Sequence, residues 1–271
     1  MAAEVKTIFS YMGNKSSLVE TICPAMPSRK RYVEVFGGTM AILLNKDRLK
    51  DEVEIYNDFN GHLTNLHEVI RTRVDEFIAE VDKLYISEIT YDKFYRNTKV
   101  EGNELESAVR YFYVMCLCHL GKFTGGFSLI PKDSYAHTFE NKIETIKAIH
   151  RRIKNIMILN KSYEKVITAN NTEDTLLYLD PPYDSSETYY SKLAGSFNES
   201  HHIILRDLLR KHKGTFMLSY ENSDLIRDLY IEFNFLSMSK FRQSKGNYAE
   251  EIVVTNFKPS NTLFDLNKQL F

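Results

Sequence analysis

The stretch that decides the fold is Thr175-Leu176-Leu177-Tyr178-Leu179-Asp180-Pro181-Pro182-Tyr183. Leu176 to Leu179 form a short apolar run, the pattern of a strand covered on both faces. The run stops at Asp180, and a residue before proline is driven out of the helical region toward an extended backbone. Pro181 and Pro182 carry no N–H, so the turn offers carbonyl oxygens with no neighbouring donor competing for them. Tyr183 adds a flat aromatic face. An acid, free carbonyls and a ring at the carboxyl end of a central strand predict a pocket that accepts hydrogen bonds from a flat amine and stacks on it. The exocyclic N6 of adenine is such an amine. The same four residues also suit an ordinary strand-to-loop turn, so the rest of the chain has to decide.

Upstream, Arg31-Tyr32-Val33-Glu34-Val35-Phe36-Gly37-Gly38-Thr39 followed by Met40 to Leu44 reads as strand, glycine turn and helix. Glycines let a backbone approach a ligand closely, and a helix start presents free N–H groups. A second strand, Ile55-Tyr56-Asn57-Asp58, ends in an acid at the spacing where dinucleotide-type folds place a ribose-binding carboxylate. The pattern is not the full G-x-G-x-x-G fingerprint, so a nicotinamide cofactor is not favoured; a site for an adenosine-containing ligand is. Before both lies Tyr11-Met12-Gly13-Asn14-Lys15, a glycine-bearing loop that reads as a lid with one ring and one cation. A helix is expected to start at Ser16, with serine as its cap.

Downstream, Ile156 to Asn160, Gly214 to Tyr220 and Glu251 to Phe257 read as further strands alternating with helices, the pattern of an α/β sheet. The last two strands suggest a closing hairpin. The polar segment from Asp184 to Ser200 is long enough to be a loop over a site. His201 and His202 lack a spaced partner ligand, so no metal is expected. The chain has 271 residues, 43% hydrophobic and 26% charged, room for one domain with a sizeable insert. No long apolar run, no apolar leader and three cysteines without a disulfide pattern lead us to expect a cytoplasmic chain with no membrane span.

The insert runs from about Arg71 to Lys154 and reads as mostly helical. A hairpin is expected at Gly125-Gly126, bearing Lys122 and Phe127. Beyond it a helix carries Lys147, Arg151 and Arg152. Net charge is only -1, yet a cationic face beside an aromatic hairpin competes with a plain solvated face as a phosphate-backbone contact surface.

Taken in order, these pieces resemble the Dam-type (D12 class) family of S-adenosylmethionine-dependent DNA adenine-N6 methyltransferases, over nearly the whole chain. Tyr11 to Lys15 resembles the family's opening element, Val33 to Gly38 its first cofactor motif, and Tyr56 to Asn60 its acid-bearing second motif. Asp180 to Tyr183 matches its catalytic tetrapeptide. Ser219 with Asn222, and Glu251 to Asn256, resemble its late motifs. The resemblance implies a Rossmann-like methyltransferase sheet with a terminal reversed hairpin. Residues 1–70 and 155–271 would form the catalytic domain, and 71–154 an inserted target-recognition domain. It implies S-adenosylmethionine held by Tyr11, Lys15, Glu34, Phe36, Gly38, Asp58 and Asp180, and a catalytic pocket of Asp180, Pro181 and Tyr183. Double-stranded DNA is the implied partner.

The chain departs from the family at three places. Met40 stands where many members have a second glycine. Ser162-Tyr163 replaces Asp-Phe. The hairpin near Lys122 lacks the expected arginines, so no target sequence carries over. RNA adenine methylation, DNA cytosine-N4 methylation and a non-catalytic nucleic-acid-binding relative stay open at this point, as do oligomeric state and biological setting.

Overall fold

The computed structural model describes residues 5–11, 13–128, 139–182, 197–242 and 247–259. After a 3-10 turn come α1 (Val19–Ile22), β1 (Arg31–Glu34), α2 (Ala41–Asn45), β2 (Val53–Asn57) and α3 (Gly61–Thr72). Four helices follow: α4 (Val74–Val81), α5 (Glu88–Arg96), α6 (Glu104–Leu117) and α7 (Glu140–Ile153). Then β3 (Met157–Leu159), α8 (Tyr163–Ala169), β4 (Thr175–Leu179), α9 (Glu199–Arg210), β5 (Thr215–Glu221), α10 (Asp224–Leu229), β6 (Asn234–Arg242) and β7 (Asn247–Thr255) complete the order.

The fold is mixed α/β around a seven-stranded, mostly parallel sheet ordered β3-β2-β1-β4-β5-β7-β6. β3, β2, β1, β4 and β5 run parallel. β7 is antiparallel to both β5 and β6; residues 243–246, which join β6 to β7, lie outside the described residues. From β1 the chain builds outward through β2 to β3, and from β4 it builds the other way. β1 and β4 therefore flank the switch point, the place where open α/β sheets form their ligand crevice.

The apolar run of β4 serves two cores, because side chains alternate along a strand. Leu176 and Tyr178 join one face, and Leu177 and Leu179 the other. The first face carries α2, α3 and the insert helices in one continuous core. Leu63, Leu66 and Ile70 of α3 pack there with Phe77, Val81, Phe112 and Ile149. The boundary expected near Arg71 thus falls inside α3, and α4 to α7 extend the core of the sheet's face. The second face is covered by Tyr163, Val166, Leu205, Leu209 and Ile226 from α8, α9 and α10.

The expected serine cap is corrected. Lys15 stands at the cap position without a side-chain cap bond, and Asn14 Oδ1, one residue earlier, accepts the Ser16 N–H and the Ser16 hydroxyl, both at 2.7 Å. The expected hairpin near Gly125 is a compact loop closed by a single bridge, Cys118 to Phe127, and its tight turn runs from Lys122 to Gly125. No helix among the described residues is long and apolar enough to cross a membrane.

Candidate active site

β1 ends at Glu34, and the chain turns through Gly37 and Gly38 into α2. Gly37 has no room for a side chain, since a Cβ there would lie 2.2 Å from the Tyr56 ring. The Gly38 N–H donates to Asp58 Oδ2 at 2.8 Å. The Gly38 carbonyl accepts from the Tyr56 hydroxyl at 2.8 Å and lies 3.2 Å from His67 Nε2. A carbonyl can only accept, so Nε2 carries the proton. Burial pushes the His67 pKa down to about 4, which keeps the ring neutral at pH 7. Met40 adopts φ +62, the left-handed conformation that glycine takes without strain. Its side chain is fully buried in the core and does not line the cavity.

Asp58 is held at both oxygens: Oδ1 accepts the Asn60 N–H at 2.8 Å. Burial raises its carboxyl above the usual value, and the Asn60 and Gly38 N–H bonds act in the opposite sense. Beside it Asn57 ties three segments together. Its amide donates to the carbonyls of Val35 and Lys161, at 2.8 and 3.1 Å, and its Oδ1 accepts the Lys161 N–H at 2.9 Å. The floor of the site is therefore built from backbone contacts.

Across the switch point, Asp180 follows β4. The Lys15 ammonium lies 2.7 Å from Asp180 Oδ1 and 3.8 Å from Glu251 Oε2 on β7. It also donates to the Gly13 carbonyl at 3.1 Å. The Lys15 side chain is 2% exposed and that of Asp180 18%, so the cation expected on a lid is a buried partner of the acid. Glu34, next to this pair, accepts from the Tyr32 hydroxyl at 2.8 Å. Burial pushes its carboxyl up to about 8.

Tyr11, Lys15, Glu34, Phe36, Gly38, Asp58, Asp180 and Pro182 all line one cavity of about 200 Å³, where a single water needs about 10–15 Å³. Tyr183 lies outside the described residues. Pro181 is buried and is not among the lining residues. The acids lining the cavity are Glu34, Asp58, Glu164 and Asp180, against the lysines Lys15 and Lys161. With its carboxyl pushed up to about 8, Glu34 is mostly neutral at pH 7, which leaves the three other acids against the two lysines.

Sequence reasoning marked Phe36 but missed Phe197 and His201 in the aromatic wall. Phe36 meets Tyr163 at 5.5 Å and Phe197 edge-on at 5.7 Å between ring centroids. His201 stacks on Phe197 at 5.3 Å and hydrogen-bonds the Tyr163 hydroxyl at 3.0 Å. Phe59, 55% exposed, stands at the rim beside Asp58. Phe197 sits in a polar stretch with no local periodicity, so nothing in the sequence marked it.

Of the five residues expected to touch nucleic acid, Lys122, Phe127, Lys147 and Arg151 are exposed or half-buried. Arg152 turns inward: it grips Glu54 through both nitrogens at 2.7 and 2.6 Å and donates to the Leu43 carbonyl. This corrects its placement on an outer cationic face. Lys147 pairs with Glu144 at 2.8 Å in solvent, and Arg151 is exposed. Phe127 is half-buried, with its ring edge-on to Tyr91 at 5.4 Å. Lys122 lies on the loop whose Gly121 presses against the backbone of Ser10, where a Cβ would come within 2.5 Å of the Ser10 carbonyl.

A switch-point cavity with a glycine turn, a fixed acid and an Asp-Pro-Pro rim defines a methyltransferase-type site. A family model described as D12 class N6 adenine-specific DNA methyltransferase matches residues 11–244. The chain belongs to this family, whose activity is methylation of N6 of adenine in DNA. Type II methyltransferase M.CviBI of Paramecium bursaria Chlorella virus NC1A is 26% identical over 267 residues, covering 95% of this chain and 100% of its own. Retron Ec67 DNA adenine methylase of Escherichia coli is 25% identical over 240 residues, 84% of this chain and 82% of its own. A DNA adenine methylase of Vibrio cholerae is 24% identical over 219 residues, 76% of each.

Proposed function

We propose that the cavity binds S-adenosylmethionine and that Asp180, Pro181 and Tyr183 receive an adenine swung out of duplex DNA. The supporting observation is the Lys15–Asp180 pair lining the same cavity as the glycine turn and Asp58. The residues present fit the donor. Gly38 leaves its backbone open, Asp58 offers an acceptor suited to ribose hydroxyls, and Phe36, Phe59 and Tyr163 offer apolar faces. When bound, the donor supplies a methyl group on a positively charged sulfur.

The protein's part is alignment. Adenine N6 is a poor nucleophile because its lone pair is delocalised into the ring. Asp180 and the Pro181 carbonyl would accept its two N–H bonds and direct the lone pair at the methyl group. Alignment of this kind supplies much of an enzyme's acceleration, and preorganised acceptors stabilise charge as it develops on nitrogen. N6 is out of reach inside a duplex, so the base must leave the stack. Stacking on Tyr183 would contribute about 1–3 kcal/mol. In this reading residues 1–70 and 155–271 are the catalytic part, closed by a reversed hairpin of β6 and β7, and 71–154 the target-recognition part, with Lys122, Phe127, Lys147 and Arg151 facing DNA.

Incubation with isotope-labelled S-adenosylmethionine and duplex DNA, then digestion to nucleosides, tests this. Label in N6-methyladenine is the expected result, lost in Asp180→Ala while S-adenosylhomocysteine still binds. Label in N4-methylcytosine, preferential labelling of an RNA competitor, or an unimpaired Asp180→Ala variant would contradict it.

A further inference from the structure

Resting on the function just proposed, we infer that Glu251 is a positioning residue for the methyl-transfer step: it shares the Lys15 ammonium with Asp180 and so fixes where that ammonium presents itself to the acid. Glu251 is 3% exposed on β7 and lies directly opposite Glu221 of β5 in the sheet register. Like charges directly opposite are unfavourable, and Lys15 brings the compensating charge to this spot. The ammonium is 2.7 Å from Asp180, 3.1 Å from the Gly13 carbonyl and 3.8 Å from Glu251. It is thus held from three directions by the N-terminal loop, the turn after β4 and a strand two places across the sheet. A carboxylate offers about four acceptor directions, so the Lys15 contact at Oδ1 leaves Asp180 able to accept from an amine as well.

The charge arrangement gives the assignment a sign. Lys15, Glu34, Tyr178, Tyr220 and Glu251 surround Asp180 from the N-terminal loop, β1, β4, β5 and β7. Lys15 favours the ionised form of Asp180, and the negative charge of Glu251 opposes it. Removing the two charges should therefore move the titration of Asp180 in opposite directions.

The experiment measures kcat, KM for the donor and the acid limb of the kcat–pH profile for wild type, Glu251→Gln, Glu251→Asp and Lys15→Met. S-adenosylhomocysteine affinity and the unfolding midpoint are measured for each. Glu251→Gln should lower kcat about ten- to a hundredfold, the scale of a charged contact, with donor KM and product affinity within about twofold of wild type on the same scale. Its acid limb should move to lower pH, that of Lys15→Met to higher pH, and Glu251→Asp should recover part of kcat. An unchanged kcat and profile in Glu251→Gln overturns the assignment. So does a variant that loses product binding or cooperative unfolding together with activity, because Glu251 is then structural support. Failure here leaves Asp180→Ala inactive; an active Asp180→Ala would instead sink the proposed function itself.

Discussion

Lys15 and Lys46 are both buried, and each faces two carboxylates, yet their surroundings differ. Lys46 sits 2.6 Å from Glu52 and 2.9 Å from Glu54, and its ammonium also lies over the Tyr32 ring at 4.7 Å. Arg152 adds a bidentate grip on Glu54, and Arg48 approaches it at 3.6 Å. Three cations thus meet two acids whose side chains are at most 4% exposed. Lys15 instead has one short and one long acid contact, and its close partner Asp180 stands on the cavity wall. One buried lysine closes a charge network within the core; the other pairs with an acid that lines the cavity. Burial of a charge therefore says little about use until the openness of its partner is known.

The largest effect should come from breaking the open cluster. Asp180→Asn is expected to reduce methyl transfer by about a thousandfold or more through lost alignment and charge stabilisation, with a smaller drop in the urea midpoint than Glu54→Ala because the amide oxygen still accepts from Lys15. Breaking the closed cluster should do the reverse. Glu54→Ala leaves Arg152 without its acid and Lys46 with Glu52 alone, and such a loss costs about 3–5 kcal/mol of stability, read by urea unfolding.

The closed cluster also has a pH signature. Burial alone would raise the Glu54 carboxyl, but the Arg152 and Lys46 contacts win and hold it below its ordinary 4.5. A lowered folded-state value means the stabilisation is present above pH 4.5 and is lost as pH falls through the folded value. Unfolding free energy measured across that window should fall less steeply in Glu54→Gln than in wild type.

A smaller effect is expected at Met40. Replacing it by glycine relieves a left-handed strain of about 1–2 kcal/mol but deletes a fully buried side chain, whose loss costs about 2–5 kcal/mol. The net change should be modest destabilisation, with donor-analogue affinity unaltered; a stabilised Met40→Gly would show the strain to dominate. The smallest effect should separate two neighbours on α7. Arg151→Ala should weaken DNA binding slightly and reduce the slope of log affinity against log salt by about one. Arg152→Ala should instead lower stability, because its partner is Glu54.

These contrasts mark what a sequence can carry. The β4 run, the glycine turn and Asp58 were legible because each is local: an apolar stretch, a required close approach, an acid at a strand end. Asp180 was legible because two prolines confine the chain beside it. The Lys15–Asp180 and Arg152–Glu54 pairs were not, since each joins residues far apart in the chain and either basic side chain could equally have faced solvent. Arg152 was misplaced for a specific reason. Hydrophobic periodicity assigns charged residues to the outer face of a helix, and it has no means of anticipating an arginine drawn inward by an acid on β2. Phe197 and His201 were missed because the wall they form is assembled only when α9 packs over α8.

The contrast between the two clusters is tested most directly by single-turnover methyl transfer to duplex DNA in Asp180→Asn and Glu54→Gln, at a temperature where both are fully folded. The transfer step should be lost in Asp180→Asn and stay within about twofold of wild type in Glu54→Gln, a difference far below the cost of a lost catalytic contact. Transfer that survives in Asp180→Asn, or fails in folded Glu54→Gln, would contradict the account.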